Sequence, residues 1–488
     1  VTYTSTNVGR SVANNNDYTV RNLNFKNCNI SLTYTDASGK ASVSGDAEIG
    51  VGLLAGTTAN NSSLANYGKY STITMTNCKV GGPNSVGGLL GSSGYGSRST
   101  DKNDKTWIVN KTGGQTSPVK LYNCSYSNME ISGIQNVGGF VGKINSGSQG
   151  GIWTTHDTGI AQDSTITASS GDPRVGGVFG VSGGALFVNA DTTTKESIVG
   201  GKATISGVML TVPTSAGKVG GVGGLVGKAE NSIYTYNLTV TGDTNTKVVF
   251  GRADAGSFKN VGGIAGNITN GNEFTFDTCE VSNINLKSRE VSGGISGNIS
   301  GSPVVTCNNV VVSGVTFGSS YAGGINGSIG GTPTFNITNI KIENNIFENP
   351  SNMWEGSNNQ KSRSGGICGD GKGVFKISNV LFDSNDFQGK NGQGLVFGDT
   401  KTKIDLQVYA AGIDIKPIKG KTTSDLPPLM FDTTKDQSNV KQVNTVSYVA
   451  FGNYEDKFPA PGNSKTLYSD DSNGATEAIS PCVTTSPV

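Results

Sequence analysis

One phrase, spelled Val222-Gly223-Gly224-Leu225-Val226-Gly227, returns along most of this chain and limits the folds open to it. Close copies start at Val86, Val137, Val175 and Val261, and copies led by Ser or Ala start at Ser292, Ala322 and Ser364. A degraded copy, Val51 to Gly56, opens the series, and Gly394-Leu395-Val396-Phe397-Gly398 closes it. A phrase repeated at intervals marks an array of like units rather than a set of unrelated domains.

The closing glycines are Gly56, Gly91, Gly142, Gly180, Gly227, Gly266, Gly297, Gly327, Gly369 and Gly398. Their successive spacings are 35, 51, 38, 47, 39, 31, 30, 42 and 29 residues, so the cleanest units are the shortest. A unit of about thirty residues suits one solenoid coil of three short strands with loops, and longer units carry insertions. Residues 92–119 and 147–162 read as the two largest insertions.

Within the phrase the fourth place is always a large apolar residue: Leu54, Leu89, Phe140, Val178, Leu225, Ile264, Ile295, Ile325 and Ile367. The fifth wanders from Leu90 and Val141 to Ser296, Asn326 and Cys368. Successive strand residues point to opposite faces, so the fourth place is expected inward and the fifth mostly outward. The same parity turns the second and last glycines inward. Glycine weakens a strand unless backbones crowd together or the chain must turn, and both conditions are expected at the corner of a narrow coil.

Between phrases lie an aromatic and Thr-rich strand, such as Phe274-Thr275-Phe276, and a Val/Ile-rich one, such as Val281 to Leu286. No stretch carries a helical apolar stripe. The sequence therefore predicts an all-β, right-handed parallel β-helix of about ten three-strand coils over residues 20–418. Residues 1–19 read as an N-terminal cap or assembly strand. Residues 419–488 read as a C-terminal cap or attachment module in which Val446 to Phe451 is the clearest strand.

Composition narrows function. Gly is 72 of 488 residues, about twice ordinary usage, yet no Gly-X-Y period points to collagen. Only 15% of residues are charged and the net charge is +1, which gives no electrostatic case for nucleic acid or an anionic membrane. No apolar run approaches a membrane span. The chain begins at Val1, which fits a processed or trimmed product.

Few residues offer chemistry. Cys28, Cys78, Cys124, Cys279 and Cys307 sit near the ends of Thr-rich strands and read as one inward column of small residues. Cys78/Cys124 and Cys279/Cys307 are the neighbouring pairs close enough in the repeat for disulfides. Cys368 and Cys482 lie elsewhere. One histidine, His156, leaves zinc without ligands and reads as a surface loop residue. Acids do not recur at one place of the unit, so neither the paired carboxylates of a glycosidase nor a calcium site is expected. No metal and no cofactor is indicated. The ten Asn-x-Ser/Thr triplets match chance expectation in so Asn- and Ser/Thr-rich a chain.

The phrase at Val222 to Gly227, with a Thr-rich strand and the Asn77-Cys78 and Asn123-Cys124 pairs, resembles the GLUG repeat of secreted and surface-attached microbial proteins. The resemblance spans roughly residues 50–400. It implies a right-handed parallel β-helix outside the cell, with structural glycines and no catalytic residues to carry over. The expected function is an extracellular structural or adhesive rod that self-associates into a filament or surface layer, or that meets a cell-surface glycan. The alternative is a carbohydrate-binding or polysaccharide-cleaving β-helix such as a tailspike or lyase. Its candidate ligand-contact aromatics are Trp107, Trp153, Trp354 and Tyr321.

Overall fold

The computed structural model describes residues 19–32, 50–58, 69–93, 119–145, 149–154, 159–169, 172–212, 220–242, 248–252, 259–348, 363–388, 393–394, 396–399, 406–416 and 465–469. The regular elements among them are all strands, gathered into three parallel sheets of ten strands and one long sheet of seventeen. One coil shows the plan. Val304–Ser313 lies in the long sheet, Thr316–Gly318 in the second, Tyr321–Gly323 in the third and Asn326–Ile329 in the fourth. The chain then re-enters the long sheet as Thr334–Glu343, with Val304 beside Thr334 and Ser313 beside Glu343. Every coil repeats this step, so the protein is a parallel β-solenoid, as its phrase predicts. The long sheet ends in Leu406–Lys416, on which Lys465–Ser469 pairs antiparallel.

The wall count differs from expectation. The Gly-Gly phrase is two strands rather than one, as in Gly221–Gly223 and Val226–Ala229, which belong to the third and fourth sheets. The second glycine of the phrase, Gly224 here, and the fourth-place aliphatic, Leu225, form the bend between them. A Cβ added to Gly223 would sit 2.6 Å from the Gly266 nitrogen and 2.7 Å from the Ile264 oxygen. On Gly227, of the fourth sheet, it would sit 2.4 Å from the Val175 nitrogen of the third. All of these are backbone atoms, so the two sheets touch backbone to backbone. Ordinary stacked sheets stand about 10 Å apart on their side chains. Neither glycine has a positive φ. They are required by crowding alone.

The left-handed corners of the long sheet are taken mainly by asparagine, with Gly207 and Gly314 at two of them. Asn309, Asn339 and Asn379 bend the long-sheet strands at φ of 52°, 57° and 52°, and Asn283 and Asn344 make the next corner at 54° each. Asn tolerates this left-handed region because its short amide bonds locally. Stacked corners also bond to one another: Asn379 Nδ2 donates to Asn339 Oδ1 (3.2 Å), and Asn339 Nδ2 to Asn309 Oδ1 (3.2 Å). Just inside the second corner, the buried Asn345 Nδ2 donates to Asn385 Oδ1 (3.0 Å), while Asn345 Oδ1 accepts from the Val315 N–H (2.9 Å).

The fourth-place ladder holds. Leu225 N–H donates to the Ile264 oxygen (2.9 Å), Ile264 to Ile295 (3.0 Å), Ile295 to Ile325 (2.9 Å) and Ile325 to Ile367 (3.0 Å). Leu89, Phe140, Val178, Leu225, Ile264, Ile295, Ile325 and Ile367 are buried, while Leu54, at the first coil, is half-buried. The fifth place is not outward. Leu90, Val141, Phe179, Val226, Ser296, Asn326 and Cys368 are all buried. The parity argument assumed an open outer face, but the fourth sheet is covered on both sides. The third sheet lies against its glycines, and the long sheet lies against its fifth-place side chains, as the 4.7 Å contact of the Phe397 and Phe375 rings shows. Polar fifth-place residues are satisfied inside: Ser296 Oγ donates to Asn326 Oδ1 (2.6 Å), and Asn326 Nδ2 to the Ser328 oxygen (2.9 Å). Stacked rings at Phe317, Phe347 and Phe387, with centroids 4.7 and 4.5 Å apart, repeat at the coil spacing.

Candidate functional site

Ten stacked coils leave long polar columns on the surface, and one stretch of them is concave. Where the long sheet turns into the second sheet, the corners Asn77, Asn128 and Asp163 stack in three successive coils at φ of 52°, 53° and 43°. With Lys79, Glu130, Thr165 and Thr167 they line an open groove of about 610 Å³. Lys79 and Glu130 bridge neighbouring coils at 2.5 Å, but both side chains are more than 60% exposed, so the pair adds little stability. Thr167 and Thr211 continue the rim through a 2.8 Å hydroxyl bond. Amides, hydroxyls and one ion pair can exchange hydrogen bonds with a polyhydroxylated ligand. They offer no nucleophile backed by a base. Among the described residues no group of three or more His, Cys, Asp or Glu is placed to hold a metal ion.

Of the four predicted contact aromatics, the two among the described residues, Trp153 and Tyr321, are buried. Trp153 is fully buried, with its ring 6.0 Å from Phe140, which in turn lies 5.1 Å from Tyr126. Residues 149–154 and 159–162 are long-sheet strands, so the glycine-rich segment taken for an insertion is part of the coil, and its Trp points inward. Tyr321 is 6% exposed, and Arg363 lies over its ring at 5.4 Å. Neither side chain is open to a sugar. Trp107, Trp354, His156 and the strand expected at Val446 to Phe451 lie outside the described residues, as do residues 1–18 and most of 92–119.

The five cysteines expected in one column fall into three. Cys28 and Cys78 stack just past the second corner, where the Cys28 N–H donates to Cys78 Sγ (3.3 Å). Cys124 and Cys279 follow the first corner, after Asn123 and Thr278. Cys307 lies in the strand before it, beside Phe276 rather than Cys279. Lys79 pairs with Glu130, so Met129 and not Cys124 follows Cys78 in its column. The two disulfide pairings considered from the repeat are therefore out of register, and all six described cysteines are free thiols. Burial pushes the Cys124 thiol up to about 11 and that of Cys307 to about 12.

Two surface features escaped the sequence reading. Phe187 and Tyr234 stack at 5.2 Å on the outer face of the long sheet, near Ile152 and Tyr236. A strap over residues 190–202 closes on this cluster: Tyr236 Oη donates to the Lys195 oxygen (2.7 Å), Tyr234 Oη donates to Glu273 Oε2 (2.8 Å), and Lys195 pairs with that same oxygen at 3.0 Å. The signal was present, since Phe187 and Tyr234 stand at outward parity in their strands.

The second feature flanks the glycine contact. Lys143 and Lys228 each follow a closing glycine, in Val141-Gly142-Lys143 and Val226-Gly227-Lys228, and Arg174 precedes the phrase at Val175. Arg174 Nη1 donates to Asn136 Oδ1 (3.1 Å), and Asn136 Nδ2 donates to Ser85 Oγ (3.2 Å). Burial, and then the Arg174 charge, push the Lys143 amine down to about 8, against an opposing pull from Glu230. Compared with known proteins, the chain matches no family model, no curated protein and no solved structure.

Proposed function

We propose that the chain is an extracellular structural or adhesive rod of the kind its GLUG-like phrase suggests, acting through shape and surface rather than through a reaction. The observation that carries this is the unbroken run of parallel ladders through ten coils, from Thr19–Lys26 to Phe397–Asp399. At about 4.8 Å per coil the stack is about 50 Å long. Its two ends differ. Among the described residues the Thr19–Lys26 strand pairs on one edge only, with Lys69–Thr76, while Leu406–Lys416 is met by an antiparallel strand. An open strand edge supplies main-chain hydrogen bonds to an incoming strand, which suits end-to-end assembly of copies.

Sedimentation and electron microscopy of the full chain, and of a chain lacking residues 1–19, test this reading. It expects concentration-dependent rods or filaments that change with the deletion. A sharply monomeric species at high concentration, unaffected by the deletion, contradicts it. The groove at Asn77, Asn128 and Asp163 favours a second reading, contact with a neutral glycan. Binding on a glycan array without depolymerisation supports that reading, and release of reducing ends from any arrayed polysaccharide moves the protein to the lyases and glycosidases.

A further inference from the structure

The backbone contact between the third and fourth sheets has a rim. On the third-sheet side the rim column runs Ser85, Asn136, Arg174, Gly221 and Asn260. On the fourth-sheet side it runs Ser92, Lys143, Val181, Lys228 and Asn267. Most of these residues are small or neutral, and the three cations fall in consecutive coils. We infer that Lys143, Arg174 and Lys228 form an oxyanion site on this rim, suited to the sulfate or carboxylate group of an acidic glycan.

Three features make the cluster a built site. Arg174 is held in place by the Asn136–Ser85 relay, and its Nε is buried without a hydrogen-bond partner. Lys228 pairs with Glu230 at 2.5 Å, and its side chain is only 16% exposed, so its ammonium is fixed beside the rim. Glu230 also acts on Lys143, two steps along the same ladder, so this carboxylate is shared by two amines. Asp172, already engaged, is the other acid close in sequence to Arg174. Three cations thus stand in consecutive coils along one rim. At the Lys143 amine burial, and then the Arg174 charge, outweigh Glu230. A guanidinium edge and ammonium groups bind a multi-oxygen anion through charge-assisted hydrogen bonds. The inference does not depend on rod assembly.

Calorimetric titration of the full chain at low ionic strength tests it, with three probes: a sulfated oligosaccharide, its desulfated counterpart and inorganic sulfate. The sulfated probe should bind and lose at least tenfold in affinity in Arg174→Gln and in Lys143→Met, while Lys79→Met, in the distant groove, leaves it unchanged. Affinity should fall as pH rises through about 8, where Lys143 loses its proton, and Lys143→Arg should keep binding while removing that step. A purely structural role would not move this pH profile. Inorganic sulfate binding as tightly as the sulfated oligosaccharide supports the site and assigns it to the free ion. Equal binding of sulfated and desulfated probes, or affinity indifferent to both Arg174→Gln and Lys143→Arg, overturns the inference, as does the absence of binding by folded wild-type chain.

Discussion

The glycine contact between the third and fourth sheets and the asparagine corners of the long sheet solve opposite problems with opposite residues. At Gly223 the backbone is ordinary in φ, but other backbones stand where a Cβ would go. At Asn309 the backbone is left-handed at φ 52°, yet a side chain is welcome, because its amide donates to Asp277 Oδ1 at 3.3 Å and accepts from Asn339. Glycine here answers a shortage of space, and asparagine answers a shortage of allowed φ. A reader of sequence would assign turning to the glycines. At Gly223 and Gly227 that assignment fails, because neither has a positive φ, while Asn309, Asn339 and Asn379 do.

Substitution separates the two most sharply. Gly223→Val places branched carbons among immobile backbone atoms, and the expected loss is about 3 kcal/mol or more, read as a large fall in the denaturation midpoint. A cost below about 0.5 kcal/mol would mean that the sheets do not touch there. At the corner the ranking inverts. Asn309→Ala should cost about 1–2 kcal/mol for the left-handed backbone, whereas Asn309→Gly should be close to neutral. If Gly and Ala cost the same at residue 309, the corner is not set by φ.

Thiol chemistry sharpens the picture of the interior. Burial raises Cys124 from 9.0 to about 11 and Cys307 from 9.0 to about 12, so at pH 8 both should resist alkylation until the coil opens, with half-buried Cys28 reacting first among the described cysteines. A raised thiol pKa stabilises the fold fully below 9 and loses that contribution as pH climbs toward the folded values. The stack should therefore weaken between about pH 9 and pH 12. Alkylation of Cys307 at the rate of a free thiol would contradict its burial.

The smallest effect belongs to the strap. The hydrogen bond from Lys195 and then that from Tyr234 hold the Glu273 carboxyl below its ordinary range. The stabilisation is present while the carboxylate is charged and is lost as pH falls through the lowered value. Both partners are nearly half exposed, so Glu273→Gln should cost no more than about 0.5 kcal/mol. Slightly faster proteolysis confined to residues 190–202 checks it.

The coil and its ladder were legible because they recur. Leu225, Ile264 and Ile295 declare their stacking by spacing alone. What one unit cannot show is what covers it: Ser296 and Asn326 look like surface residues until the long sheet is laid over them. Asn309 reads as loop material, because αL corners leave no composition signal distinct from an ordinary turn. Each corner also shifts the count of residues along a coil, which is why Cys279 and Cys307 look adjacent in the text and belong to different columns. Trp153 was placed outside because its neighbours are glycines, whereas Gly151 is there to admit Phe179 and Leu186. The groove at Asn77 and the cations at Lys143 and Arg174 join residues from different coils, so no single unit of the sequence displays them.

The central claim is that every phrase advances the chain by one strand spacing. Lys120 and Lys376 lie in one outer column of the long sheet, joined through Ile152, Phe187, Tyr234, Thr275, Thr306 and Asn336. Seven steps of about 4.8 Å put their backbones about 34 Å apart. Spin labels at Lys120→Cys and Lys376→Cys, with Cys28 and Cys482 replaced by Ser, should give a narrow distance distribution centred near that value. A broad distribution, or one centred beyond about 50 Å, would mean that the coils do not stack in this register.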